Sequence, residues 1–216
     1  MMTDADGVLR EYPEDGGSSL REALSDILGA EAHFYRMTLK SKEYELFDFS
    51  MFVESEDGNA PEPVIPGVPE DALGEEILWR LMSATKKNPV SEEYELSLDA
   101  GVAIGDGRAT AVYAETNDDG GINLTEIHFS TDDTGLITII KSGEAETVMT
   151  FERGRRHRAV YHTPYMDFDM RLFAARVENT FTPGFGGEIH LDYALEIRGA
   201  AAHRTVMTMK FEPEEI

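Results

Sequence analysis

Arg155, Arg156, His157 and Arg158 stand together in an acidic chain, with Tyr161, His162 and Tyr165 close behind. Arginine offers a planar fork of donors that fits carboxylate or phosphate, so the chemistry this cluster suggests is capture of an anion. On a strand, Arg156 and Arg158 share one face and His157 takes the other. The same cations would serve equally as cross-strand partners for Glu152, Asp167 or Asp169, which is a structural role only.

The six histidines fall at 33, 128, 157, 162, 190 and 203. No pair has the tight spacing of a helical zinc motif. His190 and Asp192 lie two apart, on one strand face, where a histidine from a neighbouring strand could join them. Glu93 with Glu95, and Asp167 with Asp169, also share faces. Paired carboxylates of that kind carry acid/base hydrolysis, but they equally decorate a solvated barrel exterior. There is no G-x-S-x-G, no phosphate loop and no dinucleotide fingerprint. Asp118 to Gly121 reads as a turn, since the further ligands of a calcium loop are missing. With no cysteine, disulfides and thiolate metal sites are excluded. No catalytic residue, metal ligand or cofactor is assigned.

An aromatic and methionine-rich zone follows the basic cluster: Tyr161, Tyr165, Phe168, Met170, Phe173, Phe181 and Phe185. Such residues fill a small barrel, or else line a cavity for one apolar molecule. Met149, Met207 and Met209 would adapt to either. The candidate ligand-binding set is therefore Arg156, Arg158, Tyr161, His162, Tyr165, Phe168, Met170, Phe173, His190 and Asp192.

These residues must be positioned by strands. From Ser91 onward, short runs of alternating polar and apolar residues are separated by Gly, Asn and Asp turns, among them Gly105–Asp106–Gly107. Some eight to ten strands fit between 91 and 212, as a meandering antiparallel sheet. Closure into a barrel would remove the exposed edges that such a meander leaves. Upstream, residues 1–19 are acidic, Gly-rich and expected to be flexible. Ser19 and Glu22 have capping-box spacing ahead of Leu20, Leu24, Ile27 and Leu28, which predicts a helix packed on the barrel's outside or mouth. Residues 43–54 alternate loosely, as an early barrel strand or a hairpin arm. Prolines at 61, 63, 66 and 69 make a linker, and Leu73, Ile77, Leu78 and Leu81 make a second helical stripe. The expected division is a flexible terminus (1–19), an extension packed on the barrel (20–90) and the barrel itself (91–212).

The net charge is −23, of which residues 1–130 carry −19 and residues 131–216 carry −4. This repels phosphate backbones and argues against nucleic-acid binding. No signal peptide or membrane span is read, so a cytoplasmic location and no membrane partner are expected. The apolar stripe of the first helix and the strand near 44–53 could exchange between subunits in a homodimer, against the opposing charge.

The succession FERG at 151–154, AVYHTPY at 159–165 and GGEIHLDYALEI at 186–197 resembles the YwiB-like family of bacterial proteins, also called DUF1934. The resemblance covers about residues 90–212. It implies a calycin-like, lipocalin-resembling β-barrel with no established activity. Two positions depart from the pattern: Lys141–Ser142–Gly143 replaces an expected Arg-x-Gly, and Met166 stands where a Gly is expected. The fold class is thus mainly β, an antiparallel calycin/lipocalin-like barrel with two N-terminal helices. The function read from it is non-catalytic binding of a small apolar or amphipathic ligand, or of a protein partner. The alternative is a hydrolase or isomerase using His162, His190 and Asp192 at the barrel mouth.

Overall fold

Ten strands close into one antiparallel barrel in the computed structural model, which describes residues 2–3, 9–10, 24–25, 28, 32–48, 90–116, 121–131, 135–197 and 201–214. A separate small pair, β1 (Met2–Thr3) and β2 (Leu9–Arg10), precedes it. The barrel strands are β3 (His33–Asp48), β4 (Glu92–Gly105), β5 (Arg108–Thr116), β6 (Ile122–Ser130), β7 (Leu136–Ser142), β8 (Glu146–Glu152), β9 (Arg156–His162), β10 (Asp167–Asn179), β11 (Gly187–Ile197) and β12 (Ala201–Pro213). Each pairs with its sequence neighbour, and β12 closes on β3. The barrel therefore reaches outside 91–212 and takes β3 from the segment expected as an extension. Residues 49–89, with the Pro-rich linker and the second expected helix, lie outside the described residues.

Alternation decides which side chains enter. In β5, Ala109, Ala111 and Tyr113 are buried in the main core, while Thr110 faces out. In β3 the inward set is Tyr35, Met37, Leu39 and Ser41. The β4–β5 reversal is a two-residue turn of Asp106 (φ 51°) and Gly107 (φ 73°), the left-handed pair that a tight hairpin requires. Single-residue register shifts interrupt β10 between Ala174 and Arg176, and the β12–β3 ladder at Ala202/His203. Such shifts add local bend and twist, which closing a barrel needs.

The outer face carries matched charges. Arg36, Lys40 and Lys42 of β3 lie directly opposite Asp99, Glu95 and Glu93 of β4 and reach them at 3.3, 3.1 and 2.8 Å. Glu93 and Glu95 are thus each neutralised by a lysine and form no paired-carboxylate site. Exposed pairs like these contribute little stability but fix which partner is tolerated.

Of the first expected helix, Leu24, Ser25 and Leu28 are described, each with helical backbone. No complete helix is delimited among the described residues, so the two N-terminal helices do not enter the observed fold class. Leu24 is fully buried against Val112 and Leu124 on the barrel's outside, with Leu28 and Phe34 beside it. Gly101 leaves room for this contact, because a Cβ there would stand 2.8 Å from Leu28 Cδ1.

Candidate functional site

One end of the barrel is plugged. Tyr35, Phe129, Phe181 and Phe211 meet edge to face, with ring centroids 5.4 to 6.4 Å apart. The β10–β11 connection folds over them. Gly184 N–H donates to the Tyr35 hydroxyl at 3.1 Å, and Asn179 Oδ1 accepts from Phe181 N–H at 2.9 Å. Gly186 sits at φ 79° against the Phe211 carbonyl, where any Cβ would collide with backbone.

The opposite end is open and polar. Register carries one inward band across six strands: Tyr113 opposite Thr125, Thr125 opposite Lys141, Lys141 opposite Thr147, Thr147 opposite Tyr161, and Tyr161 opposite Phe168. A cleft of 560 Å³ lies over this band, lined by Thr125, Lys141, Tyr161 and Phe168, with Glu115 and Asn123 beside them. Its rim is the β9–β10 turn. There Thr163 Oγ1 donates to the Met166 carbonyl at 2.7 Å and accepts from Met166 N–H at 3.1 Å. Tyr165 is 92% and Met166 58% exposed on that turn. Gly143, at φ 136°, shapes the facing rim, and Glu144 N–H donates to Asn123 Oδ1 at 3.1 Å.

The wall at this end carries three tyrosines, each directly opposite a hydroxyl residue and hydrogen-bonded to it: Tyr94 with Ser41, Tyr113 with Thr125, and Tyr193 with Thr205. Burial pushes the Tyr193 hydroxyl up to about 12 and that of Tyr113 higher still, although the Thr partners act in the other direction. Tyr94 is raised by burial too. These groups stay protonated near neutrality and serve as hydrogen-bonding walls. Next to them His203 Nδ1 stands 2.8 Å from Glu43 Oε1, without the alignment of a full hydrogen bond.

The sequence-derived candidates are divided among several places. Tyr161 and Phe168 line the mouth cleft, with Tyr165 on its rim. Met170 is buried in the core. Arg158 and His162 face outward into a different, 820 Å³ cleft, and His162 Nδ1 lies 2.9 Å from Asp167. Arg156 lies on that same outer face of β9, opposite Phe173. Phe173 is also outward, buried with Ala175 and Ala194 away from the barrel interior. His190 and Asp192 point out of the barrel too. His190 Nδ1 is 3.0 Å from Thr208, while Asp192 accepts two bonds from Arg204. His162, His190 and Asp192 therefore do not converge at the mouth. Phe181 belongs to the plug, and Phe185 is 82% exposed at the plugged end. Among the described residues, no group of three His, Asp or Glu is placed to hold a metal ion, and no helix is long and apolar enough to cross a membrane.

Lys141, Thr125, Thr147, Glu43 and His203 were not among the candidates. The signal for the first three was present, since each occupies the inward parity of its strand. Glu43 and His203 are brought together only by β12 closing on β3.

The barrel matches the crystal structure of the ywiB protein from Bacillus subtilis with a TM-score of 0.57 and 14% identity, covering 88% of this chain and 99% of that one. This is a likeness of fold. No curated protein matches the chain. The family model "Domain of unknown function (DUF1934)" matches residues 81–209, so the chain belongs to the DUF1934 family.

Proposed function

We propose that this chain is a binding barrel that holds a small amphipathic molecule at its open mouth. The observation that carries the reading is the contrast between the ends: one is sealed by four aromatic rings, and the other opens into a 560 Å³ cleft. The volume suits a small organic ligand. Tyr161 and Phe168 supply an apolar floor, and Lys141 supplies a cation for a negatively charged end. Tyr165 and Met166, exposed on the rim, would close over the ligand at the cost of little backbone movement. Thr125, already paired with Tyr113, offers its remaining hydrogen-bonding capacity.

The test uses anilinonaphthalene sulfonate, an aromatic anion, and Nile red, a neutral apolar dye. Saturable fluorescence with both is expected. Phe168→Ala should weaken both dyes by about tenfold, from the lost aromatic contact. Lys141→Met should weaken only the sulfonate. If all three proteins bind both dyes alike, the mouth is not the site. Native mass spectrometry of protein purified from its own host would then name the natural ligand.

A second reading rests on Glu43 and His203. A carboxylate 2.8 Å from an imidazole at the open end is an arrangement that acid/base catalysis uses. It replaces the trio His162, His190 and Asp192, and a hydrolase or isomerase would run through this pair. Loss of turnover in both Glu43→Gln and His203→Gln, with dye binding retained, would favour it over a purely binding role.

A further inference from the structure

The barrel wall has a window. β8 and β9 are each seven residues long, yet they register at only two positions, Glu146 with His162 and Thr147 with Tyr161. The neighbouring ladders hold: β7 pairs β8 at six positions and β9 pairs β10 at seven. At the far end the β8–β9 turn is closed by Arg155 N–H to the Glu152 carbonyl at 3.0 Å and anchored to β10 by Gly154 N–H to the Ala174 carbonyl at 2.8 Å. Between the registered positions and this turn lies an 820 Å³ cleft lined by outward and inward residues together.

Two features of this window have no role in holding the barrel. Arg158 and Arg171 lie directly opposite each other on β9 and β10, on the outer face, and both line the cleft. Like charges in directly opposed positions destabilise a sheet. Arg171 reaches Glu196 at 3.5 Å, whereas Arg158 has no carboxylate at ion-pair distance among the described residues. Independently, Thr147 is 4% exposed, lines the same cleft, and its Oγ1 has no hydrogen-bond partner. A buried hydroxyl without a partner is costly, and a ligand that reaches it would remove that cost.

We propose that the window binds a small organic monocarboxylate, distinct from the ligand of the mouth. The carboxylate is gripped by the two guanidinium forks of Arg158 and Arg171, which relieves their repulsion. The apolar body runs over Val148 and Val160, which are 53% and 38% exposed, toward Met170. Thr147 Oγ1 meets a polar atom at the inner end. Glu126, Glu146 and Asp169 stand on the same cleft and balance its cations Lys141, Arg158 and Arg171. One negative charge is accepted by close contact, and a multiply charged anion is repelled.

The test is calorimetric titration with octanoate and with inorganic phosphate, beside thermal melts of the apo proteins. Octanoate should bind saturably in the wild type and inorganic phosphate should not. Arg158→Gln should weaken octanoate about tenfold or more, and Arg158→Lys should recover part of the loss, because charge returns without the fork. Thr147→Val should not weaken octanoate, whose inner end is apolar, but should weaken 8-hydroxyoctanoate, whose terminal hydroxyl can reach Thr147 Oγ1. The apo Arg158→Gln protein should melt no lower than the wild type, since a repulsion is removed. Phe168→Ala, which damages the mouth, should leave octanoate unaffected, so failure of one site is told from failure of the other. Octanoate heats equal in wild type and Arg158→Gln, tighter binding of phosphate than of octanoate, or a lower apo melting temperature in Arg158→Gln would each overturn the proposal.

Discussion

Asp192 is held in a fork by Arg204, whose Nε donates to Oδ1 at 2.8 Å and whose Nη2 donates to Oδ2 at 2.6 Å. Arg204 is only 5% exposed and lies 5.5 Å from the centre of the Tyr44 ring. Both carboxylate oxygens of Asp192 are thereby engaged by one guanidinium, which fixes its orientation on the outer face.

Removing one member should be costly. Arg204→Met leaves a desolvated carboxylate, with an expected loss of about 2–3 kcal/mol, somewhat less than a fully buried pair would give because Asp192 is not completely enclosed. The double variant Arg204→Met with Asp192→Asn should recover part of that loss. Urea unfolding of the two variants gives the difference directly. Equal destabilisation by both would show that packing of the arginine stem, and not its charge, is what matters.

At the plugged end, Phe181 contacts three other rings and is 4% exposed. Phe181→Ala should cost about 3–5 kcal/mol through lost burial and the cavity left behind. The mouth lies at the other end of the strands, so dye binding in the folded fraction should keep its wild-type affinity. A parallel fall in dye affinity would mean that the two ends are coupled through the core.

The buried tyrosines set an alkaline limit. Tyr193 has its hydroxyl raised to about 12 and Tyr113 lies higher, against an ordinary value near 10 in the unfolded chain. A raised folded value means that the unfolded state releases protons first. The stability they provide is intact below pH 10 and is lost as pH rises from there. Between pH 10 and 12 the fall should approach about 1.4 kcal/mol per unit for each of the two. Tyrosinate absorbance should accordingly show a class that titrates only together with unfolding. Tyr193→Phe should flatten the slope, even though it leaves Thr205 without its partner.

Much of the barrel was legible because alternation is local. Gly105–Asp106–Gly107 marked a true hairpin, and the strands from β4 onward were bounded by their turns. The opposite faces of Arg156 and His157 followed from the two-residue period alone. What sequence could not supply was the third dimension. Tyr161 and Phe173 look equivalent as aromatic residues of adjacent strands, yet one faces the mouth and the other the outside. That distinction depends on register across the β9–β10 turn. Within 43–48, the described part of the 43–54 stretch, the loose alternation has a physical cause in the register shift where β12 meets β3 at Ala202/His203. Glu43 and His203 are 160 residues apart and meet only on closure, so no local pattern could join them. Lys141 enters the sequence reading only within Lys141–Ser142–Gly143, as a departure from an expected Arg-x-Gly. The inward direction of its position appears only when β7 is laid between Thr125 and Thr147.

The rim turn offers a last test, because Met166 occupies a position where Gly was expected. Among the described residues the only positive φ outside glycine is at Asp106, so Met166 has an ordinary backbone conformation. Thr163 is what holds the turn: its hydroxyl donates to the Met166 carbonyl and accepts from Met166 N–H, and the backbone adds Thr163 N–H to the same carbonyl at 3.2 Å. This is the local hydroxyl chemistry that stabilises turns without glycine. Met166→Gly therefore gains no relief of strain and adds freedom to the unfolded chain, with an expected loss of about 0.5–1 kcal/mol. Thr163→Val removes these two hydroxyl bonds and a third, longer one from Tyr165 N–H at 3.4 Å, all on an exposed turn, and should cost about 1–2 kcal/mol. Its sharper effect should be on the rim. Freed from Thr163, Tyr165 and Met166 should hold a mouth ligand less well, so the sulfonate dye should dissociate faster from Thr163→Val with little change in its association rate. Stopped-flow fluorescence separates the two rates. An unchanged dissociation rate would mean that the rim turn frames the cleft without touching what it binds.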